Sequence, residues 1–285
     1  MDGKTLEIRN LCLEHMDIIF YDLVKRGLLH QESKFFSEAK KSTWKVCFQT
    51  LYPLMEFFDN FSESNFDFFL HNSFLFFYSF FLDRSFDSLE KNPSTQARAS
   101  QISTYLTIQY FEYLMKSFDT KVISLFYKFY GEQTNYLIAE KKWAIPQPYI
   151  SVYGSVKRIY KKCVLLLFPF ELIKINLHKY KSSTLKELFI NYFSFILLAD
   201  DLADLELDIS HHCLTYPIAT YFKLKGKLPR DVKDMTTVTP QMIKILQEFL
   251  ENIKKLEIEI GKRSSIINDT ISSIKKELNV RGFEI

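Results

Sequence analysis

The chain has 285 residues and is 47% hydrophobic, enough for a sizeable core, and it reads as one domain, 1–285. Its 37 Lys and Arg against 34 Asp and Glu leave a net charge of +3, too small a bias to mark a nucleic-acid or anionic-lipid surface. Cys12, Cys47, Cys163 and Cys213 lie far apart with no CxxC or Cys/His cluster, which argues against a zinc site and for reduced thiols.

Seven glycines and eight prolines punctuate the chain sparsely, and apolar residues recur at spacings of three and four with few alternating runs. The expected fold class is therefore all-α. The pattern predicts helices over 5–27, 31–60, 64–90, 96–118, 120–142, 149–167, 170–178, 183–209, 213–224, 239–261 and 264–280.

The opening stretch MDGKTLEIRNLCLEHMD is charged throughout and lacks the apolar segment of a signal peptide, so a cytoplasmic chain is expected. FDFFLHNSFLFFYSFFL contains Asp67, His71 and Asn72, and CVLLLFPFELIKI is short and interrupted by Pro169 and Glu171; neither predicts a transmembrane segment. Asn92-Pro93-Ser94-Thr95, Ile145-Pro146-Gln147-Pro148 and the stretch from Lys225 to Pro240 read as loops between helices. The last two helical stretches have the amphipathic spacing of helices that pack on a body or another subunit.

Two stretches carry chemistry. In LLADDLADLELDISHHCLTYP an apolar helix runs into Asp200, Asp201, Asp204, Glu206 and Asp208, and in FLFFYSFFLDRSFDSLEKNP another runs into Asp83, Asp87 and Glu90 before a proline. At 100° per residue Asp83, Asp87 and Glu90 share one helical face, as do Asp200 and Asp204, with Asp201 and Asp208 on an adjoining stripe. Negative charge near a helix carboxyl end opposes the macrodipole, at roughly 0.3–1 kcal/mol for each group, and like charges one turn apart add to the cost.

A divalent cation would compensate: Mg²⁺ prefers carboxylate and water oxygens and leaves positions for substrate phosphate. The plain alternative for each run is a solvated surface turn. A di-iron site would need two Glu-x-x-His repeats, of which the chain has none; Asp208-x-x-His211 is the nearest approach, and His211 and His212 are expected at a helix end.

With these motifs the chain resembles the class I isoprenoid synthases, the helical superfamily of terpene synthases, squalene and phytoene synthases and chain-elongating prenyltransferases. ADDLADLELDISHHCLTYP is similar to the second aspartate-rich motif of squalene/phytoene and polyprenyl synthases, and DRSFD resembles a DxxxD first motif, with Arg84 where many terpene synthases have a second Asp. Between them Glu140, Trp143, Pro146, Tyr149 and Gly154 resemble the terpene-synthase run from Glu-x-x-Trp to a helix-breaking glycine.

The resemblance implies a single-domain helical bundle around a central apolar cavity, often homodimeric in that family, and a Mg²⁺-dependent reaction in which a prenyl diphosphate substrate ionises. It implies that Asp83, Asp87, Asp200, Asp201, Asp204 and Asp208 hold the metal, with Asp83, Asp87, Asp200 and Asp204 as the catalytic core. Lys157, Arg158, Lys161 and Arg84 become candidate diphosphate contacts, and Phe80 and Tyr153 candidate contacts to the prenyl chain or its cation. Phe76, Phe77, Phe81, Tyr192, Phe193 and Phe195 also precede the motifs and are expected mostly as plain core.

Cyclisation or elimination by a terpene synthase is the first expectation. Head-to-head condensation as in squalene or phytoene synthases is the second, because DRSFD and LTYP favour that branch. A catalytically inert partner with the same fold is the third, because of Arg84.

Overall fold

A computed structural model of the chain describes residues 3–30, 34–57, 63–87, 93–140, 156–176, 182–211 and 213–285. Among these, every regular element is helical and there is no strand, so the fold is all-α. No helix of the described residues is long and apolar enough to cross a membrane.

Two compact units divide the chain. The first comprises Met1–Lys128 and Ser264–Ile267, the second Phe129–Arg263 and Asn268–Ile285.

The first unit is built from α1 (Gly3–Lys25), α2 (Lys34–Thr50), α3 (Glu63–Asp87), α4 (Pro93–Ser117) and the opening turns of α5 (Thr120–Glu140). In α1, Ile8, Cys12, Met16, Ile19 and Leu23 follow the three-and-four spacing of a single buried stripe. α3 is apolar on most of its circumference and buries Phe69, Phe76, Phe77 and Phe81; α4 packs along it, and Phe20 of α1 meets Phe77 edge to face at 5.4 Å. Phe76, Phe77 and Phe81 are thus core, as expected.

Such a helix needs its few polar side chains satisfied. Asn72 donates back to the Phe68 carbonyl at 2.7 Å and accepts from the Tyr110 hydroxyl at 2.9 Å, and Ser73 donates to the Phe69 carbonyl at 2.8 Å.

The expected helix over 31–60 is shorter. α2 stops at Thr50 and a 3-10 turn, Tyr52–Phe57, follows, because Pro53 has no N–H to continue the α ladder; Leu54 N–H instead reaches back three residues to the Leu51 carbonyl at 3.1 Å. This turn is wholly buried and carries Glu56. The Glu56 carboxylate accepts the backbone N–H groups of Ser265 (3.1 Å) and Ile266 (3.2 Å) and the hydroxyls of Ser264 and Ser265, so it caps the start of α11 (Ser265–Val280).

The second unit is arranged around α7 (Ser182–Ala203), whose Leu188, Phe189, Tyr192, Phe193, Phe195 and Leu198 are buried. α10 (Thr239–Ile260) is its main partner, and the exposed Asn252 side chain donates to buried Asn191 at 3.2 Å across the pair. α6 (Phe168–Asn176), α9 (Tyr216–Lys225) and a mainly 3-10 segment, Val156–Leu167, also pack on α7. α10 ends at Gly261, whose φ of 79° gives the left-handed turn that lets its N–H close on the Glu257 and Ile258 carbonyls.

The 156–167 segment departs from the α-helix expected there. Cys163 has φ −128° and ψ 28°, which interrupts the backbone ladder, and the Leu165 N–H is satisfied by the buried Gln133 side chain of α5 at 3.0 Å. The expected helix over 183–209 is also two pieces: α7 ends at Ala203 and α8 (Leu205–Ser210) begins after Asp204, which has φ −98° and ψ 14°.

Candidate functional site

The acidic end of α7 is the described part of the candidate site. Asp200 and Asp204 are exposed, Asp208 is half-buried, and Asp201 is buried, only 3% exposed. Despite the break, Asp204 N–H donates to the Asp200 carbonyl at 2.9 Å and Asp208 N–H to the Asp204 carbonyl at 2.8 Å, so one-turn spacing is kept and the expected stripe of Asp200 and Asp204 is present in the backbone.

The break changes the electrostatics. Asp204 stands at the N-cap of α8, and Glu206 and Asp208 lie in its first turn, where negative charge is favoured by the helix amide groups. Three of the five carboxylates therefore sit at a helix start as well as beyond a helix end, and part of the repulsion that suggests a metal is relieved by the backbone.

A lysine relieves more of it. Lys162 Nζ lies 2.9 Å from Asp201 Oδ1, with only 12% of the lysine side chain exposed, and the other carboxylate oxygen accepts the Tyr216 backbone N–H at 3.4 Å. Asp201, expected as a metal ligand, is held by protein groups on both oxygens.

No group of three or more His, Cys, Asp or Glu side chains able to hold a metal occurs among the described residues. Mg²⁺, which uses one or two protein carboxylates together with water and substrate phosphate, fits the donor chemistry of Asp200 and Asp204, exposed and one turn apart; it does not fit Asp201, whose oxygens are engaged.

The remaining candidates divide as follows. Asp83, Arg84 and Asp87 lie in the last turns of α3, in the first unit, with side chains outside the described residues, and Glu90 lies outside them altogether. Tyr153, like Trp143, Pro146, Tyr149 and Gly154, falls outside the described residues, as do the side chains of Glu140, Lys157 and Arg158. Phe80 is half-buried and meets Phe81 edge to face at 5.3 Å. Lys161 pairs with Glu132 and lies over the Tyr160 ring at 5.5 Å. Tyr192, Phe193 and Phe195 are buried core of α7.

His211 closes α8 with its N–H on the Leu207 carbonyl at 2.9 Å; His212 is outside the described residues. All four cysteines are buried and none forms a disulfide, and burial pushes the Cys163 thiol up to about 12.

Lys162 and the backbone of Tyr216 were not among the expected site residues. Nothing in the sequence singles out Lys162: its placement depends on the 3-10 winding, in which it lies three residues after Ile159, 1% exposed, and immediately before the break at Cys163.

Two hollows elsewhere contain none of the acidic-motif residues. One is a cleft of about 280 Å³ beside α3 and α4, where His71 stacks on Tyr113 with ring centroids 4.1 Å apart; the other is an open groove along α1 lined by Leu13, Asp17, Ile18 and Tyr21.

Comparison with protein-family models, with curated proteins and with solved structures finds no match to this chain.

Proposed function

We propose that this chain is an enzyme of the class I isoprenoid synthase kind that ionises an allylic prenyl diphosphate and releases diphosphate, with terpene synthesis by cyclisation or elimination as its reaction. The observation that carries the reading is the end of α7: a helix with a buried aromatic and aliphatic body presents Asp200 and Asp204, exposed and one turn apart.

In this reading Asp200 and Asp204 hold Mg²⁺ and, on α3, Asp83 and Asp87 have the matching role. Bound Mg²⁺ would offset charge developing on the leaving diphosphate. The chain's own residues would supply the placement of the carboxylates, and apolar and aromatic side chains around the prenyl chain would exclude water and stabilise a cation by about 0.5–2 kcal/mol each. No Ser, Cys or His nucleophile is needed.

A second reading has its own observation. Because Lys162 pairs with Asp201 and the start of α8 offsets part of the remaining acidic charge, the same fold would stand without metal as a catalytically inert partner.

One experiment separates them: release of diphosphate from geranyl, farnesyl and geranylgeranyl diphosphate, each alone and with isopentenyl diphosphate, with and without Mg²⁺, followed by mass analysis of the products. Mg²⁺-dependent release with unchanged carbon number supports the terpene-synthase reading, and the Asp200→Asn, Asp204→Asn double variant is then expected to lose roughly a hundredfold or more. A product of summed carbon number favours condensation. No release, and no Mg²⁺-dependent binding of a diphosphate analogue in a calorimetric titration, favours the inert partner.

A further inference from the structure

We infer that Lys162 and Asp201 form a positioning device for the acidic motif: they tie the 156–167 segment, the end of α7 and the start of α9 together, leaving Asp200 and Asp204 as the ligand-facing pair. The ligand-facing half of this assignment rests on the function proposed above; the tie itself does not.

A carboxylate that is 3% exposed needs a partner for its charge, and the 2.9 Å contact to Lys162 supplies it. Lys162 lies one 3-10 turn after buried Ile159, and the ladder break at the next residue, Cys163, is followed by the Leu165 N–H on the Gln133 side chain, which fixes the same segment.

Asp201 also does the work of a helix cap. α9 has Thr215 at its N-cap position, yet the Thr215 side chain makes no capping bond and its hydroxyl is buried without a partner. The Tyr216 N–H, at the first position of α9, goes instead to Asp201, fifteen residues earlier in the chain. A carboxylate at a helix start is favoured by the exposed amide groups there, so one side chain satisfies both a buried ammonium and a helix terminus.

The motif is thereby divided in function. Adjacent residues on a helix are turned 100° from one another, so Asp201 faces the interior of its unit while Asp200 and Asp204 are exposed. Losing the tie would loosen the end of α7 and alter how Asp200 and Asp204 are presented, without removing either one.

The test uses the full chain and Lys162→Met, Lys162→Arg, Asp201→Asn, Asp201→Leu, Asp200→Asn, Asp204→Asn and the Lys162→Met/Asp201→Leu double variant, read by thermal unfolding and by Mn²⁺ binding in the presence of inorganic diphosphate, followed by electron paramagnetic resonance well below the melting temperature. The expected pattern has four parts. Lys162→Met lowers the melting temperature more than the double variant does. It also weakens Mn²⁺ binding about threefold or more, with Lys162→Arg restoring most of it. Asp201→Asn changes Mn²⁺ affinity by less than Asp200→Asn or Asp204→Asn, each of which costs tenfold or more.

A tenfold loss of Mn²⁺ affinity in Asp201→Asn with an unchanged melting temperature would overturn the inference, because Asp201 would then be a ligand. Strictly additive melting-temperature losses would overturn the tie. If the native chain binds no Mn²⁺ with diphosphate while the variants remain coupled in stability, the tie stands and the proposed function fails.

Discussion

Acidification from pH 7 to pH 5 should weaken the fold through His15. This residue has no exposed surface; its Nδ1 shares a hydrogen bond with the Tyr52 hydroxyl, its ring meets Phe66 edge to face at 4.4 Å, and Nε2 has no partner. Burial, with the charge of His71 adding to it, pulls its pKa down to about 4 from 6.5. The folded chain therefore keeps His15 neutral where the unfolded chain protonates it. Because the unfolded state binds the extra proton, stability is full above pH 6.5 and is lost as pH falls towards 4. The fall from 6.5 to about 4 corresponds to about 3 kcal/mol over the whole window and about 2 kcal/mol between pH 7 and pH 5. Urea unfolding of the native chain and of His15→Gln at both pH values reads this as a difference of differences, in which the carboxylates common to both proteins cancel. The variant should lose about 2 kcal/mol less than the native chain over that interval. Equal losses in the two, within about 0.5 kcal/mol, would refute the assignment of the acid sensitivity to a buried neutral imidazole.

Two further predictions test the backbone and its caps. Glu56→Ala removes the acceptor for two backbone N–H groups and two hydroxyls at the start of α11, and should cost at least about 3 kcal/mol in urea unfolding; a change below about 1 kcal/mol would mean that water replaces the carboxylate there. Gly261→Ala has open space for its added methyl group, with no atom within 4 Å, so its cost should be the left-handed backbone alone, about 1–2 kcal/mol by the same measurement. A larger loss would point to a close contact at that corner.

The helices were legible in the sequence because their buried stripes have the helical period: Ile8, Cys12, Met16, Ile19 and Leu23 in α1 need no tertiary information to be found. The early stop of α2 was hidden in a single residue, Pro53, inside an otherwise continuous helical pattern. The break after Ala203 was not legible, because Asp204 is a poor helix former but not a breaker, and the bend lies among residues that read as one amphipathic run. The stripe of Asp200 and Asp204 was legible, since spacing alone sets it. The fate of Asp201 was not, because it depends on which of several neighbouring cations is turned inward. Lys157, Arg158, Lys161 and Lys162 look alike as charges, and Lys161 goes to Glu132 while Lys162 goes to Asp201. That choice follows from the 3-10 winding of 156–167, which itself leans on a glutamine of another helix.

The Glu56 cap also bears on how the chain is made. The carboxylate and the Ser264 hydroxyl that meets it are 208 residues apart in sequence. On a ribosome adding 5–20 residues per second, the segment that completes the first unit follows Glu56 by roughly 10–40 s. During that interval the first unit can collapse around its phenylalanines but lacks the two N–H groups and two hydroxyls that cap the Glu56 carboxylate. A nascent chain arrested before residue 264 should therefore hold this corner open and hydrated, and closure becomes a late event, triggered by the arrival of three residues rather than by the growth of the core.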